Sequence, residues 1–123
     1  MPEDKLQAPR ILIVEDEPML ALTLEELLVK AGFTIAGAAG RLEEALGLIE
    51  SVDCDAAILD ANLACVSASP VAAALDARAV PFIVLSGYSP EQLQGAFPGA
   101  NCLRKPCRPA QLLKALNAIL LKQ

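Results

Sequence analysis

Short, wholly apolar runs alternate with longer amphipathic ones from residue 10 to the end of the chain. Ile11 to Val14 reads Ile-Leu-Ile-Val and predicts a buried strand over Arg10 to Val14. Glu15-Asp16-Glu17-Pro18 ends it, and Pro18 suits a first helical turn, where its missing N–H costs nothing. A helix is predicted over Met19 to Ala31, with Leu20, Leu24, Leu27 and Leu28 on one face and Gly32 as its C-terminal cap. A second strand is expected over Phe33 to Ala38, and a second helix over Arg41 to Ser51 with Leu42, Ala45, Leu46 and Ile49 inward. A third strand, Ala56 to Leu59, ends at Asp60; a looser segment, Ala61 to Ser69, leads into a helix from Pro70 to Ala77. The fourth strand, Pro81 to Leu85, ends at Ser86-Gly87. Ser89-Pro90-Glu91 then starts a short helix that Gly95, Pro98 and Gly99 break. A fifth strand is expected over Ala100 to Leu103, and Arg108-Pro109 opens a last helix to about Leu121. Continuous apolar strands separated by helices imply a parallel sheet covered on both faces.

At 123 residues the chain is one domain's worth of protein, and 54% hydrophobic content supplies its core. The N-terminal segment, 1–9, is expected to be flexible and 10–123 to form the domain. Fifteen acidic residues against ten basic ones give a net charge of −5, which argues against DNA or anionic-membrane partners. Runs such as Ile11 to Val14 and Phe82 to Leu85 fall far below the ~18–20 residues that a membrane span needs. Met1 to Pro9 carries no apolar signal core, so a cytoplasmic location is expected. The absence of histidine removes most zinc enzymes and all imidazole acid–base chemistry. Cys54, Cys65, Cys102 and Cys107 have neither metal-site spacing nor a CxxC pair and read as reduced thiols acting as small hydrophobes.

Parallel strands bring all their C-terminal ends to one edge, where ligands bind. That edge would carry Glu15 and Asp16, then Asp60, then Ser86-Gly87, then Lys105-Pro106. Alone, each has a plain structural reading: dipole compensation for Glu15 and Glu17, an ordinary turn for Asp60, and another for Ser86-Gly87. Their coincidence on one edge favours function. In a sheet of order 2-1-3-4-5, strands one and three lie ~4.8 Å apart, so Asp16 and Asp60 would face each other. Carboxylates that close raise each other's pKa or demand a cation. Lys105 alone cannot balance three, whereas Mg²⁺ prefers such oxygen ligands and would leave positions for a phosphoryl group. No GxGxxG or GxxxxGK[ST] run exists to hold a nucleotide.

Four runs, Ile11-Leu-Ile-Val-Glu-Asp-Glu-Pro18, Ile58-Leu-Asp-Ala-Asn-Leu63, Val84-Leu-Ser-Gly-Tyr88 and Arg104-Lys-Pro106, together resemble the receiver domain of bacterial two-component response regulators. The resemblance spans about Arg10 to Leu121. Pro81-Phe-Ile-Val-Leu-Ser-Gly-Tyr88 also resembles the signature of the FAT GUY receiver subfamily, with Val84, Leu85 and Ser86 replacing Phe, Ala and Thr. The resemblance implies a flavodoxin-like, doubly wound α/β fold: a five-stranded parallel sheet, order 2-1-3-4-5, with helices on both faces. It implies Asp60 as the phosphoacceptor, taking its phosphoryl group from a phosphohistidine of a sensor histidine kinase or phosphotransfer protein. It implies Mg²⁺ held by Asp16, Asp60 and the backbone carbonyl of Asn62, with Glu15 acting through water. Ser86 and Lys105 would contact phosphoryl oxygens, and the Lys105-Pro106 bond would be cis.

One departure concerns switching. Receivers carry an aromatic residue three positions before the last-strand lysine, and here that position is Cys102. Tyr88, two residues after Ser86, becomes the candidate gate. The tail after the last helix points to a stand-alone receiver that signals by phosphorylation-dependent binding of a downstream protein or serves as a phosphate sink. No enzymatic activity is expected beyond its own phosphorylation and dephosphorylation. An aspartate-nucleophile phosphohydrolase would need a second acid where Asn62 stands. A degenerate receiver acting as a phosphorylation-independent binding module is the competing reading. Cys102 favours it; the intact acidic pair, Asp60 and Lys105 oppose it.

Overall fold

The computed structural model describes residues 8–63, 66–87, 97 and 100–121. Strands β1 (Arg10–Val14), β2 (Thr34–Ala39), β3 (Ala56–Asp60), β6 (Phe82–Ser86) and β7 (Asn101–Arg104) form one parallel sheet, ordered β2-β1-β3-β6-β7. Helices α1 (Pro18–Lys30), α2 (Leu42–Ser51), α3 (Ser69–Ala77) and α4 (Pro109–Leu121) cover it. This is the doubly wound order expected from the sequence, with the strand numbers raised by a small hairpin. That hairpin, β4 (Asn62–Leu63) against β5 (Val66–Ser67), lies in the segment read as loose between Ala61 and Ser69. Strands of two residues are too short to leave a periodic signal. Ala68 N–H closes its base by donating to the Ala61 carbonyl at 2.8 Å.

Side-chain alternation along each strand divides the core in two. Leu12, Val14, Leu59 and Val84 are buried with Ala45 and Ile49 of α2 and Val71 and Leu75 of α3. Ile11, Ile13, Ile58, Ile83 and Leu85 are buried on the other face with Leu24 and Leu28 of α1 and Leu112 and Leu116 of α4. Of the apolar positions assigned to the helices by their spacing, all but Leu20, which is only partly buried, pack into one of these two clusters. Gly32 ends α1 at φ +97°, a left-handed conformation that costs glycine little. Phe33 N–H completes that cap by donating to the Leu28 carbonyl at 2.9 Å.

The sequence boundaries differ from the observed ones by a residue or so, as at β6, which extends through Ser86. Pro9 is already tied down, its carbonyl accepting from Thr34 N–H at 2.9 Å. Tyr88 and the segment expected to form a short helix from Ser89 lie outside the described residues, as does Cys65; Phe97 alone of 88–99 is described, and it is buried. Among the described residues, no helix is long and apolar enough to cross a membrane.

Candidate functional site

The C-terminal ends of β1, β3, β6 and β7 converge on a crevice. Glu15 and Asp16 follow β1 directly, because the apolar run ends there and Pro18 must start a helix. Asp60 is the last residue of β3, next to β1 in the sheet. One carboxylate oxygen from each of Glu15, Asp16 and Asp60 lies within 4.8 Å of the others. Gly40, just beyond β2, permits the close approach of that strand end: a Cβ there would sit 3.3 Å from the Glu15 carbonyl oxygen.

The three acids differ in environment. Glu15 is only 4% exposed, Asp60 is half-buried and Asp16 is exposed. Asp60 Oδ1 accepts the Asn62 N–H at 3.2 Å, and its Oδ2 accepts Lys105 Nζ at 3.1 Å. Glu15 Oε2 accepts the Glu17 N–H at 3.1 Å, while its Oε1 lies 3.5 Å from Lys105 Nζ. Burial pushes the Glu15 carboxyl up to about 7, and the nearby Asp60 charge adds to this against the Glu17 N–H and Lys105. For Lys105, burial pulls its pKa down, but the hydrogen bonds and charges of Asp60 and Glu15 outweigh it and hold the ammonium above its usual range.

Lys105 reaches the acids from the edge strand, across β6. Its own N–H donates to the Ser86 carbonyl at 2.8 Å, which seats Ser86 beside it; Ser86 is buried. The Lys105-Pro106 bond is cis, as the resemblance implied. The structure thus brings together Glu15, Asp16, Asp60, Ser86 and Lys105, with the Asn62 main chain alongside. Cys102 sits apart from them: it pairs with Val84 in the sheet and packs against the apolar core on the α2 and α3 face. Arg104 was passed over in the sequence. Its Nε donates to the Gly87 carbonyl at 3.2 Å, a tether that only its place beside Lys105 hinted at.

The donor set fits a hard dication. All donors are oxygens, the Lys105 ammonium reaches two of the three carboxylates, and Asp16 opens the crevice to solvent. Mg²⁺ binds such half-open sites through a few carboxylates while keeping several waters. A nucleophilic carboxylate beside an ammonium and a hydroxyl-bearing residue can accept a phosphoryl group.

Comparison with known proteins gives the same direction. Residues 11–117 match the family model for the response regulator receiver domain. The chain is 28% identical over 111 residues to the transcriptional regulatory protein PdtaR of Mycobacterium tuberculosis, an alignment covering 89% of this chain and 54% of that protein. It therefore spans about half the length of the curated relatives it matches. Among solved structures, SdrG from Sphingomonas melonis is 39% identical with a TM-score of 0.78, covering 92% of this chain and 97% of that one. The receiver domain of the PhyR response regulator from Erythrobacter litoralis is 25% identical with a TM-score of 0.85, covering 97% and 95%.

Proposed function

The chain belongs to the response regulator receiver domain family, and from that premise we propose that it accepts a phosphoryl group on Asp60 from the phosphohistidine of a sensor kinase or phosphotransfer protein, in a Mg²⁺-dependent reaction. The observation that carries this reading is the contact between Lys105 Nζ and Asp60 Oδ2 inside a cluster of three carboxylates. An Asp60 oxygen forms the new bond to phosphorus as the bond from phosphorus to the donor imidazole nitrogen breaks. Asn62 N–H and Lys105 hold the carboxylate in one orientation, leaving lone pairs on both oxygens for attack. Lys105 then pairs with a phosphoryl oxygen, and Ser86 supplies a hydrogen bond to another. Asp16, Asp60 and the Asn62 carbonyl would hold Mg²⁺ directly, with Glu15 through water; when bound, the ion neutralises charge on the phosphoryl oxygens.

The domain turns over only its own phosphoryl group on this reading. Its output is phosphorylation-dependent binding of a downstream protein, or drainage of phosphoryl groups from a kinase, in the cytoplasm. The run from Pro81 to Tyr88 supports a place in the FAT GUY subfamily. Incubation with acetyl phosphate and Mg²⁺ tests the chemistry. The expected result is a single adduct of ~80 Da by intact mass, absent in Asp60→Ala and absent without Mg²⁺. No adduct from any small phosphodonor would overturn the proposal and favour a phosphorylation-independent binding module.

A further inference from the structure

Arg104 and Lys105 are consecutive, yet they grip two consecutive carbonyls of the neighbouring strand end. Lys105 N–H donates to the Ser86 carbonyl at 2.8 Å, and Arg104 Nε donates to the Gly87 carbonyl at 3.2 Å. Arg104 is also the register partner of Ser86 in the sheet. Regular strand pairing ends there. Gly87 is exposed, has open space around the position of a Cβ, and would otherwise leave the chain beyond the Ser86 carbonyl free to turn. The Ser86 carbonyl belongs to the Ser86–Gly87 peptide and the Gly87 carbonyl to the one after it, so holding both restrains the two torsions of Gly87 between them, and with them the path by which the chain leaves Ser86.

Accordingly, we infer that Arg104 is a positioning residue for phosphoryl acceptance, acting through the Gly87 carbonyl to hold Ser86 in place at the Asp60 crevice. This rests on the reading of Asp60 as phosphoacceptor and adds a residue to it. The guanidinium serves here as a donor at a fixed depth, and its charge is incidental. Glutamine carries its amide nitrogen the same number of bonds from Cα as the Nε of arginine; methionine carries a methyl group there.

The test compares Arg104→Met and Arg104→Gln with the unaltered protein, using acetyl phosphate and Mg²⁺. Arg104 is exposed, so both variants are expected to keep the parental melting temperature. Arg104→Met should lower the maximal rate of adduct formation about fivefold, the scale of one solvent-facing hydrogen bond, with little change in the acetyl phosphate concentration at half-maximal rate. Arg104→Gln should recover most of that loss. An unchanged rate in Arg104→Met overturns the inference, as does a glutamine variant as slow as the methionine one. The amide signals of Ser86 and Gly87 and the Cβ signal of Ser86 provide a second measurement by NMR, expected to move in Arg104→Met and return towards their parental positions in Arg104→Gln. If the unaltered protein takes up no phosphoryl group, the functional reading fails by itself, while these signals still decide the tether: unmoved in Arg104→Met, they overturn it.

Discussion

Lys105 Nζ lies 3.1 Å from Asp60 Oδ2 and 3.5 Å from Glu15 Oε1, so one ammonium from the edge strand serves two acids held by β1 and β3. The strand between them, β6, contributes Ser86 at its end and is bridged by the lysine. The arrangement leaves the local charge negative even with the lysine in place. A dication would offset that charge and leave room for an anionic phosphoryl group to enter.

Replacing that ammonium should disable the site without unfolding it. Lys105→Met is expected to slow adduct formation from acetyl phosphate by about 10²-fold, the loss typical of one preorganised donor to a reacting anion. Intact mass against time measures it. A rate within about twofold of the parent would mean that the lysine only neutralises the resting acids.

Metal dependence should reside in Asp16 as well as Asp60. Mg²⁺ binding to the folded state raises its melting temperature by mass action. Asp16→Asn should lose most of that Mg²⁺-induced increase while keeping a similar melting temperature in EDTA. An undiminished Mg²⁺ effect in this variant would remove Asp16 from the ligand set.

Glu15 gives stability a sign with pH. Its carboxyl moves from an ordinary 4.5 to about 7 on folding, so the folded state takes up a proton that the unfolded chain has released. Its contribution to stability is therefore full below about 4.5 and is lost as pH rises through about 7. In EDTA, Glu15→Gln should gain on the parent between pH 5 and 7 and level off above. Urea unfolding at several pH values checks this. A difference that stays constant with pH would show that Glu15 keeps an ordinary pKa.

Thiol reactivity should be suppressed by burial. Desolvation raises the Cys102 and Cys107 thiols above their usual 9.0; at Cys54, burial and then the Asp55 charge do so. All three are unbridged. Alkylation by iodoacetamide at pH 7 should be slow in the folded protein and fast in urea, with peptide mapping assigning each site. Equal rates in the two conditions would contradict the burial seen here.

Much of the fold was legible because its signals are local. The Ile-Leu-Ile-Val run, Pro18 at a helix start and Gly32 at a helix end each act within a few residues of themselves. The β4–β5 hairpin was not legible, since two-residue strands have no period to read and are held by a closing bond between Ala61 and Ala68. The tether from Arg104 to Gly87 was equally hidden: a guanidinium after a strand residue predicts no particular partner.

By itself, the sequence determined the five strands of the main sheet and the helices α1 to α4, and that Glu15, Asp16, Asp60, Ser86 and Lys105 follow or end strands. Backbone periodicity and chain breaks are enough for that, because they depend on neighbours in the chain. Only the tertiary structure decided that Glu15 is buried while Asp16 is exposed, that Lys105 spans β6 to reach Asp60, and that Arg104 grips the end of that same strand. Those facts depend on strand register and on which residues from distant parts of the chain exclude water together, and no local pattern encodes either.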